Sequence, residues 1–196
     1  MKKIVIATKN KGKIAEFKQF FSKNNVEVVS LLDLEDAPDI EETGKTFEEN
    51  AALKAEEISR RFNIAVLSDD SGLIIDALDG RPGIFSARYA GEPTDDKANI
   101  RKVLGELSEV PEAERTARFI CVLAIAVPDK ETVFYQGYCK GTIGHTEIGE
   151  NGFGYDPIFI PDGYTQTMAE LPPEEKNKIS HRKNAISQLE KGLYSK

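Results

Sequence analysis

Residues Lys3-Ile4-Val5-Ile6-Ala7 form an apolar run that predicts a strand over residues 2–7. From residue 11 the apolar positions change spacing to Ile14, Phe17, Phe20 and Phe21, the period of an amphipathic helix over 11–23. Val26 to Ser30 predicts a second strand. Thr46-Phe47-Glu48-Glu49 has the pattern of a capping box, with Thr46 as N-cap and Glu49 at N3. It opens a helix to about Phe62, with Ala51, Ala52, Ala55 and Ile58 on the inner face. Ile64 to Leu67 predicts a short buried strand, and Gly80-Arg81-Pro82-Gly83 a turn. A helix is predicted over Thr94 to Leu107. Two long strands follow, Arg118–Val127 and Thr132–Ile143, joined through Pro128-Asp129. A short strand covers Ile158–Ile160, and Ser180 can cap a final helix to about Leu193. Strands mix with helices throughout, with longer adjacent strands in the second half. The pattern predicts an α/β or α+β fold with a partly antiparallel sheet.

Composition narrows the class. With 196 residues, 40% of them hydrophobic, the chain can fill one sizeable core, or a core with a lobe, but hardly several domains. The net charge of -7 argues against nonspecific binding to DNA or RNA, although lysines can still gather locally around a small anion. No apolar run approaches the roughly 18 residues of a membrane span. The chain enters a strand at once, without a signal-peptide pattern. Cys121 and Cys139 lack CxxC spacing and read as buried thiols in a reducing compartment, so a cytoplasmic protein is expected. Two histidines, His145 and His181, and two poorly spaced cysteines give no expectation of a zinc site.

Five polar segments could carry chemistry. Thr8-Lys9-Asn10-Lys11-Gly12-Lys13 lies between the first strand and the first helix. Ligands of α/β proteins commonly bind at such strand ends, and the following helix offers N–H groups and a positive dipole end to an anion. It is not a Walker A loop, because Ala7 and Ile14 stand where that motif needs Gly and Ser or Thr. The alternative is a solvated basic turn. Asp69-Asp70-Ser71-Gly72 sets two acids side by side after the strand ending at Leu67. Crowded carboxylates suit a shared hard cation such as Mg²⁺ with substrate phosphate oxygens; the alternative is an acidic turn. Ile40-Glu41-Glu42-Thr43-Gly44 could bring a further carboxylate or be a solvated loop, and Lys54 by itself reads as a surface lysine. Asn151-Gly152-Phe153-Gly154-Tyr155-Asp156-Pro157 could stack an aromatic on a flat base while Asp156 accepts base N–H groups, or could be a glycine-rich turn. Lys176-Asn177-Lys178-Ile179-Ser180-His181-Arg182 is a cationic cluster at the start of the last helix. Arg182 could hydrogen-bond a base carbonyl; the alternative is a solvated helix start. No GxSxG nucleophile elbow is present.

In this order and spacing, TKNKGK, EETGKTFEENAALKA, SDDSGL, GRPGIFSARYAG, NGFGYDPIF and EEKNKISHR resemble the bacterial noncanonical purine nucleotide pyrophosphatases, the XTP/dITP diphosphatase (inosine triphosphate pyrophosphatase-like) family. The resemblance covers nearly the whole chain, as one domain over residues 1–196. It implies an elongated mixed α/β fold, two lobes around a deep cleft, with a long central sheet flanked by helices. It implies a homodimer that hydrolyses ITP, dITP and XTP to monophosphate and pyrophosphate with Mg²⁺. By position, Thr8, Lys9, Asn10, Lys11, Gly12 and Lys13 would hold the triphosphate, with Lys54 close to the phosphates. Asp70 would be the general base and, with Glu41, a metal ligand; Asp69 and Glu42 are their neighbours. Ser71 would touch substrate. Phe153, Gly154, Tyr155, Asp156, Lys176, His181 and Arg182 would surround base and sugar. Two rivals stand beside this reading: a pyrophosphatase for other modified nucleotides, and a regulator that binds nucleotides without turnover.

Overall fold

The apolar run at the start of the chain lies between two other strands. In the computed structural model, which describes residues 2–22, 26–34 and 36–194, β1 (Lys2–Ile6) pairs in parallel with β2 (Val26–Ser30) and with β3 (Val66–Ile75). Ile4 stands opposite Val28, and Ile6 opposite Leu67. Parallel neighbours need crossover connections, usually helical. Here α1 (Lys11–Ser22) and α2 (Phe47–Phe62) lie in them. The sheet continues with β4 (Thr116–Ala126), β5 (Val133–Ile143) and β6 (Phe159–Pro161), in the order β2-β1-β3-β4-β5-β6. β6 is antiparallel to β5, so the sheet is mixed and the fold is mixed α/β, as predicted. The remaining helices are α3 (Asp96–Glu106), α4 (Pro173–Ile179) and α5 (His181–Tyr194).

Packing divides the chain into two units. The first comprises the residues up to Asp70 with Val122–Gln136. Its helix α2 begins where Thr46 Oγ1 accepts the Glu49 N–H at 3.1 Å. Glu49 Oε2 reaches back to the Lys45 N–H at 2.6 Å, one residue before the partner that the capping-box pattern predicts. The buried face of α2 carries Phe47, Asn50, Ala51, Ala55, Ile58 and Ser59, while Ala52 is only half-buried. Asn63 closes the helix in the left-handed region at φ 50.

The second unit comprises Ser71–Cys121 with the residues from Gly137 onward. Its core includes Leu73, Ile75, Val103, Leu107, Ile158 and Phe159. Arg115 is buried there. Its guanidinium donates to the carbonyls of Leu107 (2.7 Å), Gly144 (2.8 Å) and Ile143 (2.9 Å). Backbone carbonyls thus satisfy a buried cation and tie the end of β5 to the end of α3.

Three sequence expectations change. The predicted short strand at 64–67 is a ten-residue strand reaching Ile75, so Asp69 to Gly72 lie inside β3 and not in a loop after it. The predicted helix 94–107 begins at Asp96, because the Asp95 side chain caps it by accepting the N–H groups of Lys97 and Ala98. The cationic segment at 176–182 divides between α4 and α5, and Ser180 Oγ accepts the Lys183 N–H at 3.2 Å in the first turn of α5. The predicted end of the first helix, at Lys23, lies outside the described residues. Cys121 and Cys139 are buried thiols. Among the described residues no helix is long and apolar enough to cross a membrane.

α5 lies against β5 at Gly137. A Cβ on that glycine would stand 2.0 Å from Ala185 N and 2.3 Å from the carbonyl oxygen of His181. Both are backbone atoms, so α5 itself would have to move. Gly137→Ala is expected to destabilise the protein by roughly 3 kcal/mol, the upper part of the usual range for overpacking. Thermal unfolding followed by circular dichroism checks this; an unchanged Tm would show that α5 is not held this closely.

Candidate functional site

In the first unit, TKNKGK leaves the carboxyl end of β1 and enters α1. Asn10 stands at the N-cap position of α1: its Oδ1 accepts the Lys13 N–H at 3.1 Å. Thr8 Oγ1 accepts the Asn10 N–H at 3.2 Å. Lys11 and Gly12 are exposed in the first helical turn, and Lys9 is paired with the exposed Asp39. Lys13 turns inward, its Nζ lying 2.8 Å from Asp69 Oδ2. The Asp69 side chain is fully buried. From α2, Lys54 Nζ donates to the Asp69 carbonyl at 2.8 Å and to Glu42 Oε1 at 2.6 Å. Two helices thus each direct one lysine at the middle of β3. Ser68 Oγ donates to the Ala51 carbonyl and ties α2 to the same strand.

Asp70 is buried, and its carboxyl is pushed up to about 6. Burial is the largest cause; Glu42 and Asp69 push the same way, against Lys54 and Lys13. Burial opposes the charge on Lys54, but Asp69, Asp70 and Glu42 outweigh it and raise its pKa. Three carboxyl groups here face two ammonium groups, an excess of one acid. Among the described residues no three His, Cys, Asp or Glu side chains are grouped to hold a metal ion. Mg²⁺ does not require such a cage, since it takes one or two carboxylates and fills its other positions with water and phosphate oxygens. The hard oxygen donors and the excess acid fit that mode. From the loop at 40–44, Glu42 is the carboxylate that acts on both Asp70 and Lys54, as Asp69 does from within β3. Glu41 is exposed in the same loop, its carbonyl accepting the Thr43 N–H at 3.1 Å. Asn50 Oδ1 holds that loop through the Gly44 N–H at 2.8 Å.

The second unit gathers the other predicted residues. Asp156 is buried, and its Oδ2 accepts the Phe153 N–H at 2.9 Å and the Lys176 ammonium. Burial raises the Asp156 pKa, while Lys176, the Phe153 N–H and Arg182 lower it. Lys176 Nζ also lies 5.0 Å from the centre of the Phe153 ring, which is 47% exposed. Gly152 makes this arrangement possible: its φ is +81, and a Cβ there would meet Asp156 Oδ2 at 2.0 Å and Lys176 Nζ at 2.8 Å. Arg182 is buried, and His181 stacks on Phe119 with ring centres 5.0 Å apart. The Tyr155 side chain turns into the core, its hydroxyl donating to the Ser86 carbonyl at 2.7 Å. Ser71 follows Asp70 in β3 and is half-buried.

Sequence reading did not single out Ser68, Ser86, Asn50 or Asp96. Each acts through a backbone partner, six residues away for Asn50 and 13 to 58 for the others, which no local pattern reveals. Asp96 Oδ2, for instance, accepts the Gly154 N–H at 2.8 Å from 58 residues away.

A family model described as the Ham1 family matches residues 4–192. A dITP/XTP pyrophosphatase of Oceanobacillus iheyensis is 69% identical over 196 residues, covering all of both chains. Among solved structures, the Staphylococcus aureus Ham1 protein superposes with a TM-score of 0.90 at 48% identity, covering 98% of each chain. A HAM1 protein from Coxiella burnetii gives 0.93 at 41% identity over the whole of both chains.

The raised pKa of Asp70 carries a sign for stability. The folded state favours the protonated acid, so this group's contribution is fully present below pH 3.8 and is lost as pH rises through about 6. In metal-free buffer at pH 7.5, Asp70→Asn is therefore expected to be more stable than the parent, by up to about 3 kcal/mol. The difference should close below pH 4. Denaturant titrations at the two pH values test this, and a less stable variant at pH 7.5 would refute it.

Proposed function

The chain belongs to the Ham1 family, and on that premise we propose that it hydrolyses the triphosphates of deaminated purines, ITP, dITP and XTP, to the monophosphate and pyrophosphate. Its relatives bear the name dITP/XTP pyrophosphatase along the full length of this chain. The observation that carries the reading to the residues is the buried Asp70 beside two lysines delivered by separate helices.

Water is the nucleophile and Asp70 is the general base. With its carboxyl near 6, Asp70 is mostly ionised at neutral pH and close enough to it to accept a proton readily. As the proton moves to Asp70, the water oxygen bonds to the α-phosphorus. The bond to the α–β bridging oxygen breaks, and pyrophosphate leaves with the electron pair. Lys13 and Lys54 offset the charge that gathers on the leaving group. The amides at the start of α1 and the side chains of Lys9 and Lys11 bind the outer phosphates. Mg²⁺, held by Asp70 with Glu41 or Glu42, would supply charge neutralisation on the phosphate oxygens.

The second cluster takes the base. Phe153 offers an exposed ring for stacking, and Asp156, Lys176, His181 and Arg182 supply the polar contacts. Hypoxanthine and xanthine carry a 6-oxo group, and adenine a 6-amino group. A donor such as Arg182 rewards the oxygen and leaves an amino group unmatched, which is worth ~1–3 kcal/mol, or roughly 5- to 150-fold. We propose further that the protein is cytoplasmic and homodimeric, as the family resemblance implies.

The deciding experiment is pyrophosphate release from ITP, XTP, GTP and ATP, each with Mg²⁺ and with EDTA. Metal-dependent release from ITP and XTP, with little from GTP and ATP, is expected. No release combined with tight ITP binding by calorimetry would favour the regulator instead. Arg182→Ala should lower the ITP-to-ATP selectivity by at least about fivefold. Unchanged selectivity in a folded variant would remove Arg182 from base readout.

A further inference from the structure

The loop that carries Phe153 is held at three successive residues. The Phe153 N–H is bound within the loop by Asp156 Oδ2 at 2.9 Å. The Tyr155 hydroxyl is bound by the Ser86 carbonyl at 2.7 Å. Ser86 is itself fixed, its Oγ accepting the Leu73 N–H at 2.8 Å and donating to the Gly83 carbonyl at 2.6 Å. Between these two anchors, the Gly154 N–H is bound by Asp96 Oδ2 at 2.8 Å. Gly154 has φ +60, and nothing lies within 4 Å of where its Cβ would be. Packing therefore does not hold this residue. The carboxylate of Asp96 is the contact that fixes its amide. Asp96 is exposed on the first turn of α3, where a negative side chain is favoured by the helix dipole.

We propose that Asp96 is a positioning residue for base recognition: by holding the Gly154 amide, it sets the peptide that follows Phe153 and hence the orientation of the Phe153 ring. Its hydrogen bond goes to the backbone amide of the loop, so Asp96 acts on binding and not on the chemical step. This inference rests on the assignment of Phe153 to base stacking. A charge-assisted hydrogen bond at an exposed site is a modest contact, and its loss is read as a roughly fivefold weakening of nucleotide binding.

Asp96→Ala, Asp96→Asn and the parent are compared for KM and kcat with ITP, for Tm, and for hydrogen exchange at the Gly154 amide. Asp96→Ala is expected to raise KM about fivefold with kcat within twofold, and to speed Gly154 exchange. Asp96→Asn keeps a carbonyl acceptor and should restore most of both. A merely structural role would lower Tm and leave KM unchanged, which overturns the proposal. Failure of the Asn variant to rescue would overturn it as well, by tracing the effect to charge. If the parent itself turns over no nucleotide, the enzymatic reading fails first. The same comparison is then made with the ITP dissociation constant from calorimetry, and equal affinity in parent and Asp96→Ala overturns the positioning role.

Discussion

Two carboxyl groups buried in the interior of a strand set the terms for the first unit. An acid removed from water must be neutralised, hydrogen-bonded or protonated, since an uncompensated buried charge costs several kcal/mol. Asp69 is compensated by Lys13 from α1, and its carbonyl by Lys54 from α2. Asp70 is held out of water, with Glu42 and Asp69 set against Lys54 and Lys13, and it responds by holding its proton more tightly. The positions of both helices serve this requirement. α1 must present its third residue inward, which the Asn10 cap arranges, and α2 must place Lys54 over β3, which the Ser68–Ala51 contact fixes. The arrangement that solves a folding problem also leaves a carboxylate poised near neutral pH.

The second unit obeys the same rule. Asp156 is buried too, and burial raises its pKa although a lysine, an amide and the field of a buried arginine oppose the rise. Its compensation is local, and the result is a rigid polar floor under an exposed aromatic ring.

Much of this was legible in the sequence, because apolar periodicity is a direct record of burial. The spacing of Ile14, Phe17, Phe20 and Phe21 gave α1, and Thr46 to Glu49 gave the start of α2, with Thr46 as its N-cap. The extent of β3 was not legible. Ser68-Asp69-Asp70-Ser71-Gly72 is composed of residues that strands usually avoid, and side-chain partners 15 to 56 residues away help to hold it in the sheet. Local propensity cannot register such partners. The side chain of Tyr155 was hidden for the same reason: in sequence it belongs to a polar loop, and in the fold its hydroxyl finds a carbonyl 69 residues away. The polar candidates that cluster did so because each carried a charge needing a counterpart, and charges are visible in sequence even when their partners are not.

Gly152 constrains how this protein can diversify. Its hydrogen occupies the space where a Cβ would strike both the carboxylate of Asp156 and the ammonium of Lys176, and its backbone is in a region that other residues rarely enter. Two independent barriers close that position to single substitutions. The exposed ring beside it has no such restriction. If Phe153 stacks on the base, as proposed above, new base preferences in a descendant of this chain would arise at Phe153 and the residues facing it, so lineages that differ in substrate should differ there first and retain Gly152 throughout.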